Sequence, residues 1–254
     1  MLVEKPMGRT VAECVSMRAA AAAGEAVLAV GQDFRYFPMA QAAHRLLAGG
    51  LLGTVRRVDV RQSAGVRWPC VSPSALTPES GGGVLLSFGV HPVDLLLWWL
   101  GRLTPVSYAD DACGGVEAEC ACELVTEEGA PVHLEVSRRR SLRDTAIIEC
   151  ERGRLEIAVF EPAFIRMTLD PTAPPLDMQV SDPEFEAAPL RTVFTRQLRD
   201  FVTAIDERRA PLVDGEAGQR VVAVVERCYA MKQPLRRPWD YPESLAVLKR
   251  ATTK

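Results

Sequence analysis

Between Pro105 and Leu169 the chain repeats one pattern, a short run of alternating apolar and polar residues closed by a Gly, Asp or Pro turn. The runs are Glu119 to Thr126, Val132 to Arg138, Ala146 to Cys150, Leu155 to Val159 and Ile165 to Leu169. A period of two puts successive side chains on opposite faces, and connections this short join only antiparallel neighbours. The pattern therefore predicts an antiparallel meander with one face buried. Thr54 to Gly65 alternates in the same way and predicts one more long strand. The buried face needs a cover, and three helical segments offer one. Gly83 to Leu100 is strongly apolar and stops at Gly101, while Arg191 to Arg209 and Gly215 to Gln233 are amphipathic. On the last of these, Val221, Val224, Val225 and Cys228 share a face. Arg67 to Pro78 and the five-proline stretch Pro171 to Pro189 predict irregular or extended loops.

The first residues follow a different rule. Met1 to Pro6 predicts a buried strand, Thr10 a helix cap, and Gly24 the stop of an alanine-rich helix; Val27 to Val30 predicts a second strand. Strand–helix–strand is the unit of parallel sheet. Pro38 to Ala48 predicts a further helix, with Pro38 in its first turn and Gly49-Gly50 beyond its end. The expected class is α+β: a remnant of parallel sheet over residues 1–31, then a large, mostly antiparallel open sheet with helices on one face over residues 32–254. Two strands fall short of the five or six of a doubly wound domain.

Composition excludes several function classes. Net charge −3 with 25% charged residues gives no electrostatic reason to expect nucleic acid or an anionic membrane. The run Arg138-Arg139-Arg140 is short and reads as a solvated strand end. The apolar run Met17 to Val30 is broken by Arg18, Gly24 and Glu25, and Glu4 and Lys5 stand where a secretory signal would be apolar. A cytoplasmic location is expected. Seven cysteines have neither disulfide-scaffold nor zinc spacing; Cys120 and Cys122 share one strand face and read as buried small hydrophobes, so no metal site is expected.

Two motifs carry chemistry. Glu4-Lys5-Pro6 ends the first strand, where ligands of α/β sheets bind. A lysine there is either solvated or a donor to a hydroxyl and to developing negative charge. The second motif is Gly81-Gly82-Gly83-Val84-Leu85-Leu86-Ser87-Phe88-Gly89-Val90-His91-Pro92-Val93-Asp94. Imidazole suits the removal of a hydroxyl proton, so His91 is either a general base or a core histidine. Asp94, on the same helix face, would orient His91, bond a substrate hydroxyl, or tie the helix to a loop. His44 and His133 lie in an ordinary amphipathic helix and a strand, and no direct role is expected for them.

These motifs, with Gln32-Asp33-Phe34-Arg35-Tyr36-Phe37-Pro38 and Gly50-Leu51-Leu52-Gly53, resemble the glucose-fructose oxidoreductase / inositol dehydrogenase / MocA-like NAD(P)-dependent oxidoreductases. The resemblance implies a Rossmann remnant in residues 1–31 and a substrate and oligomerisation domain after it. It implies NAD or NADP as cofactor, with Glu4, Lys5 and Pro6 on the cofactor side and Lys5 and His91 catalytic. Asp94, Ser87, Arg35 and Trp68 are placed by it on the side of a sugar, cyclitol or related polyhydroxylated substrate. Trp68 would stack on a sugar ring or simply pack. It also implies a homo-oligomer through the open sheet face, which the apolar pairs Ile147-Ile148 and Val159-Phe160 lead one to expect to be apolar.

Two departures qualify that picture. Many members carry an aspartate where Ser87 stands, and serine can hold no charge to raise the basicity of His91. No G-x-G-x-x-G turn occurs anywhere in the chain, so the pyrophosphate has no evident seat and dinucleotide binding is expected to be weak. In the resembling family the Glu-Lys-Pro strand comes late in the nucleotide domain. The sequence accordingly leaves three readings open: an oxidoreductase whose N-terminus lies upstream, a non-catalytic binding or oligomerisation module, and a chain whose nucleotide half is supplied separately.

Overall fold

The protein is described from a computed structural model, which covers residues 1–64, 77, 82–112, 115–159, 163–169, 172 and 174–236. The N-terminal unit forms in the expected order, but its first strand is half-buried to exposed and not the buried strand that its apolar residues predict. Strands β1 (Leu2–Glu4) and β2 (Ala29–Gly31) pair in parallel, with Glu4 opposite Gly31, and helix α1 (Val11–Ala23) connects them. Thr10 caps α1 by accepting a 3.2 Å hydrogen bond from the Glu13 backbone N–H. After β2 the chain makes one tight 3₁₀ turn (Asp33–Tyr36) and enters α2 (Pro38–Ala48).

The remainder is built on a nine-stranded sheet. Its strands are β3 (Val55–Ser63), β4 (Leu103–Asp110), β5 (Glu119–Thr126), β6 (Pro131–Ser137), β7 (Thr145–Cys150), β8 (Gly153–Ala158), β9 (Phe164–Thr168), β10 (Leu176–Met178) and β11 (Lys232–Pro234), in the spatial order β10-β9-β8-β7-β3-β6-β5-β4-β11. The meander is antiparallel, as its alternation requires. Strand β3 enters between its two halves, parallel to β6 and antiparallel to β7. One face, carrying Val58, Val60, Leu124, Leu134, Ile148, Leu155 and Ile165, is buried. Over it lie α2, α3 (Val90–Leu100) and α6 (Gly215–Ala230), and α1 packs on α6. Val221, Val224, Val225 and Cys228 of α6 all reach this core.

Three further sequence readings need correction. The helix expected over 83–100 is interrupted: Leu85–Gly89 is a π-helical turn and only then does α3 begin. The stretch 171–189 holds β10 and a short helix α4 (Pro183–Ala187), followed by α5 (Pro189–Asp206). The third concerns the open face of the sheet. Ile148 and Val159 turn inward, and Phe160 lies outside the described residues. Hydrogen-bond register instead aligns Glu123, His133, Asp59, Ile147, Glu156, Arg166 and Asp177 in one row across the sheet. Polar contacts lace this face: a His133–Glu123 hydrogen bond at 2.6 Å and the ion pairs Arg61–Asp59 at 3.0 Å, Arg140–Glu119 at 2.7 Å and Arg166–Asp177 at 2.6 Å. Alternation had correctly divided inside from outside, but paired apolar residues at two positions did not make the outside apolar. Large exposed apolar side chains gather on α5 instead, at Leu190, Phe194, Leu198, Val202 and Ile205. No helix among the described residues is long and apolar enough to cross a membrane.

Candidate active site

The tight turn after β2 lies alongside the first turn of α3, and residue by residue the two are tied together. Gln32 donates from its side-chain amide to the Val90 carbonyl at 3.3 Å. Asp33 Oδ1 stands 3.4 Å from His91 Nδ1. Phe34 stacks on the His91 ring, with centroids 4.0 Å apart and planes within 12°, while Phe88 meets it edge-on. Arg35 closes a two-toothed ion pair on Asp94, at 2.8 and 2.6 Å, and also donates to the Leu212 carbonyl at 3.1 Å.

Lys5 arrives from the end of β1, beyond Glu4 and before a cis bond to Pro6. Its Nζ donates to the Ser87 backbone carbonyl at 2.8 Å. The Ser87 hydroxyl donates to the Gly83 carbonyl at 2.6 Å and accepts a short hydrogen bond from Arg138. The three-arginine run is thus no solvated end: Arg138 joins this cluster, Arg139 pairs with Asp111 at 3.1 Å, and Arg140 pairs with Glu119 and Glu135.

Burial and neighbouring charge set the protonation states. His91 is almost fully enclosed, so desolvation, reinforced by nearby Lys5, pushes its pKa well below 6.5 and keeps the imidazole neutral. Asp33 is pushed up to about 6, chiefly by burial, with Lys5 pulling the other way. Lys5 is lowered, first by burial, while the Asp33 and Glu4 charges oppose the shift. Asp94 is raised by burial and held back by Arg35. His91, Asp33 and Lys5, displaced together in one cluster, mark a site candidate more than any one of them would.

The glycine-rich run has a structural explanation. A Cβ on Gly83 would sit 1.7 Å from Glu117 Oε2, so no side chain fits there. Glu117 occupies the start of this helical segment: Oε1 accepts from the Leu85 N–H at 2.9 Å and from the Tyr229 hydroxyl at 2.7 Å. A buried carboxylate already fills the position where a phosphate would bind. The starts of α1 and α6 are likewise taken, by Thr10 and Asp214.

Lys5, Ser87 and His91 are therefore brought together, whereas Arg35 and Asp94 meet each other and not open space; Asp94 is fully buried. For this couple the helix-to-turn tie is what the structure displays, in place of a hydroxyl contact. Trp68 and Gly81 lie outside the described residues. Glu4 is exposed and near Gly31. Sequence reasoning missed Asp33, Arg138 and Glu117. Only Asp33 carried a signal, since it is an acid two residues past a parallel strand. Among the described residues no group of His, Cys, Asp or Glu could hold a metal ion, and Cys120 and Cys122 are buried as expected. The surface clefts of about 590 Å³ beside Glu117, about 530 Å³ between α1 and the start of α6, and about 510 Å³ between Tyr36 and α5 include neither Lys5 nor His91.

Comparison with known proteins bears on the fold. Residues 40–156 match the family model of the GFO/IDH/MocA C-terminal domain. Those residues, a little under half of the chain, are similar to the C-terminal domain of that family. Among solved structures, an oxidoreductase domain protein from Kribbella flavida is 27% identical with a TM-score of 0.75, over 90% of this chain and 72% of that one. Aldose-aldose oxidoreductase from Caulobacter crescentus, complexed with glycerol, is 23% identical with a TM-score of 0.77, over 91% and 69%. A 3-ketoreductase from Actinomadura kijaniata, in complex with NADP and TDP-benzene, is 19% identical with a TM-score of 0.77, over 93% and 72%. The matched residues include strands β3 to β7 and the helix that bears His91.

Proposed function

We propose that this chain bears the substrate-handling residues of an oxidoreductase that moves hydride between NAD or NADP and a sugar, cyclitol or related polyhydroxylated compound. The observation that carries the reading is the convergence of Lys5 on the turn before His91, from 82 residues away in sequence. When such an alcohol is oxidised, its hydroxyl loses a proton as its carbon loses hydride. Neutral His91 offers a lone pair for that proton. Lys5 donates a hydrogen bond to the oxygen as it gains negative character, and its lowered pKa leaves it a ready proton donor in the reverse direction.

The described residues do not form a complete dinucleotide site. Glu4, Lys5 and Pro6 stand at the C-terminal end of a parallel strand, but its sheet has only two strands among the described residues, and the starts of α1, of α6 and of the segment that leads into α3 are occupied from within. The pyrophosphate has no seat among them, and hydride transfer is not a step that these residues carry by themselves. The occupied helix starts also favour a second reading, a non-catalytic binding module on the same domain. Titration of the chain with NAD(H) and NADP(H) should show no binding tighter than roughly millimolar; low-micromolar affinity would overturn this account of the helix starts.

The substrate side is tested by NMR, titrating sugars, cyclitols and aldonic acids while watching the His91 and Lys5 signals. One class should perturb both signals saturably. A panel in which no polyhydroxylated compound touches either signal overturns the substrate assignment. A homo-oligomer through the sheet would rest on the ion-pair ladder rather than on apolar packing, and should dissociate as salt rises from 0.05 to about 0.5 M. Sedimentation of a salt-indifferent dimer would place the interface elsewhere.

A further inference from the structure

We propose that Asp33 is the positioning residue for His91, supplying from the turn after β2 the carboxylate that Ser87 does not provide from the helix. The inference deepens the reading above and rests on it for the role of His91. Its basis is geometric. Phe34 lies flat on the His91 ring and Phe88 closes on its edge, so the ring is held in its plane and only in-plane partners remain. Nδ1 is fully buried and makes no hydrogen bond, and the carboxylate nearest to it is Asp33, with Oδ1 at 3.4 Å. The Asp33 carboxylate, half-buried, has no tighter side-chain partner among the described residues and faces this nitrogen. Because Phe34 follows Asp33 in the chain, one turn sets both the plane of the ring and the acceptor at its Nδ1.

An acceptor at Nδ1 fixes the tautomer. With the proton on Nδ1 and pointed at Asp33, Nε2 keeps the lone pair that a general base needs. The other charges around the pair are Lys5 from β1, which faces both partners, and Glu4 and Asp94, which act on Asp33. Ser87 contributes no charge; its carbonyl and hydroxyl are engaged by Lys5, Gly83 and Arg138.

The test is nitrogen-15 NMR of histidine-labelled protein at pH 7.5, with His91→Asn identifying the His91 signals among the three histidines. The wild-type chain should show Nδ1 protonated and Nε2 bare. Asp33→Ala should move the tautomer ratio toward Nε2–H by roughly fivefold or more, the size of one ordinary hydrogen bond. Should that variant fail to fold, the isosteric Asp33→Asn reads the same shift in smaller measure, because a neutral amide accepts less strongly. Acid titration gives a second readout: loss of the anion should lower the His91 midpoint further. An Nε2–H tautomer in the wild type, or one unchanged in both variants, would overturn the proposal. No substrate is needed, so this outcome is separate from failure of the oxidoreductase reading, which shows as unimpaired turnover of His91→Asn.

Discussion

Two side-chain couples join the same turn to the same helix, and they are built for opposite ends. Arg35 and Asp94 are closed: both carboxylate oxygens are engaged, the guanidinium also holds a backbone carbonyl, and water is excluded. Asp33 and His91, two and three residues away, are slack at 3.4 Å, and the imidazole nitrogen is left without a full partner. A buried ion pair with every group satisfied is a rigid tie, costly to break and slow to exchange protons. A buried pair left unsatisfied stores unused hydrogen-bonding capacity next to Lys5. The closed couple fixes the register in which the slack couple can work.

The sharpest way to break this contrast is to open the closed couple. Asp94→Ala should lose about 3–5 kcal/mol in urea denaturation, because it strands the Arg35 charge in the core. Arg35→Met with Asp94→Leu should recover most of that loss, since an apolar replacement leaves nothing unpaired. A single-variant loss under about 1 kcal/mol would mean the couple is not a tie at all. On the slack side the loss should fall on chemistry. In a turnover assay of the active protein, His91→Asn and Lys5→Ala should each slow the reaction by on the order of 10²-fold, with melting nearly unchanged.

Acid should act on the slack couple in a particular direction. His91 is neutral in the fold but charges near pH 6.5 once unfolded, so its contribution to stability is present above pH 6.5 and lost on acidification. Relative to His91→Asn, the wild type should therefore weaken between pH 7 and pH 5, by up to ~1.4 kcal/mol per pH unit. Asp33 runs the other way. Its pKa is raised to about 6 in the fold, so it favours the folded state at low pH and loses that contribution as pH rises through 6. Asp33 is present in both chains, and the difference between their urea curves isolates His91. A pH-independent difference would mean that His91 is not held neutral. The smallest effect is expected from Phe34→Leu, which removes the ring stack at a cost of about 0.5–1.5 kcal/mol and frees the His91 plane. The tautomer preference should weaken in step, and a variant that keeps both stability and tautomer would show the stack to be incidental.

Much of the architecture was legible in the residues, because sheet alternation and helix periodicity are local records of which side faces the core. The parallel unit, the meander and the cap at Thr10 all follow from short-range pattern. The long apolar run predicted the helix, yet read alone it does not reveal that the Ser87 carbonyl would meet Lys5. The charged outer sheet face was written in Asp59, Arg61, Glu123, His133 and Glu156, but two adjacent apolar pairs drew more weight than that row.

By itself the sequence determined the kind of elements, the identity of Lys5 and His91 as site candidates, and the lack of a phosphate-binding turn. Only the tertiary structure decided the pairings. That Arg35 closes on Asp94, that Asp33 faces His91, and that Glu117 fills the space left by Gly83 depend on elements 59, 58 and 34 residues apart meeting at one edge. Residue type states what a side chain can donate or accept. Which group it meets, and how much water remains between them, is set by chain packing that no local pattern records.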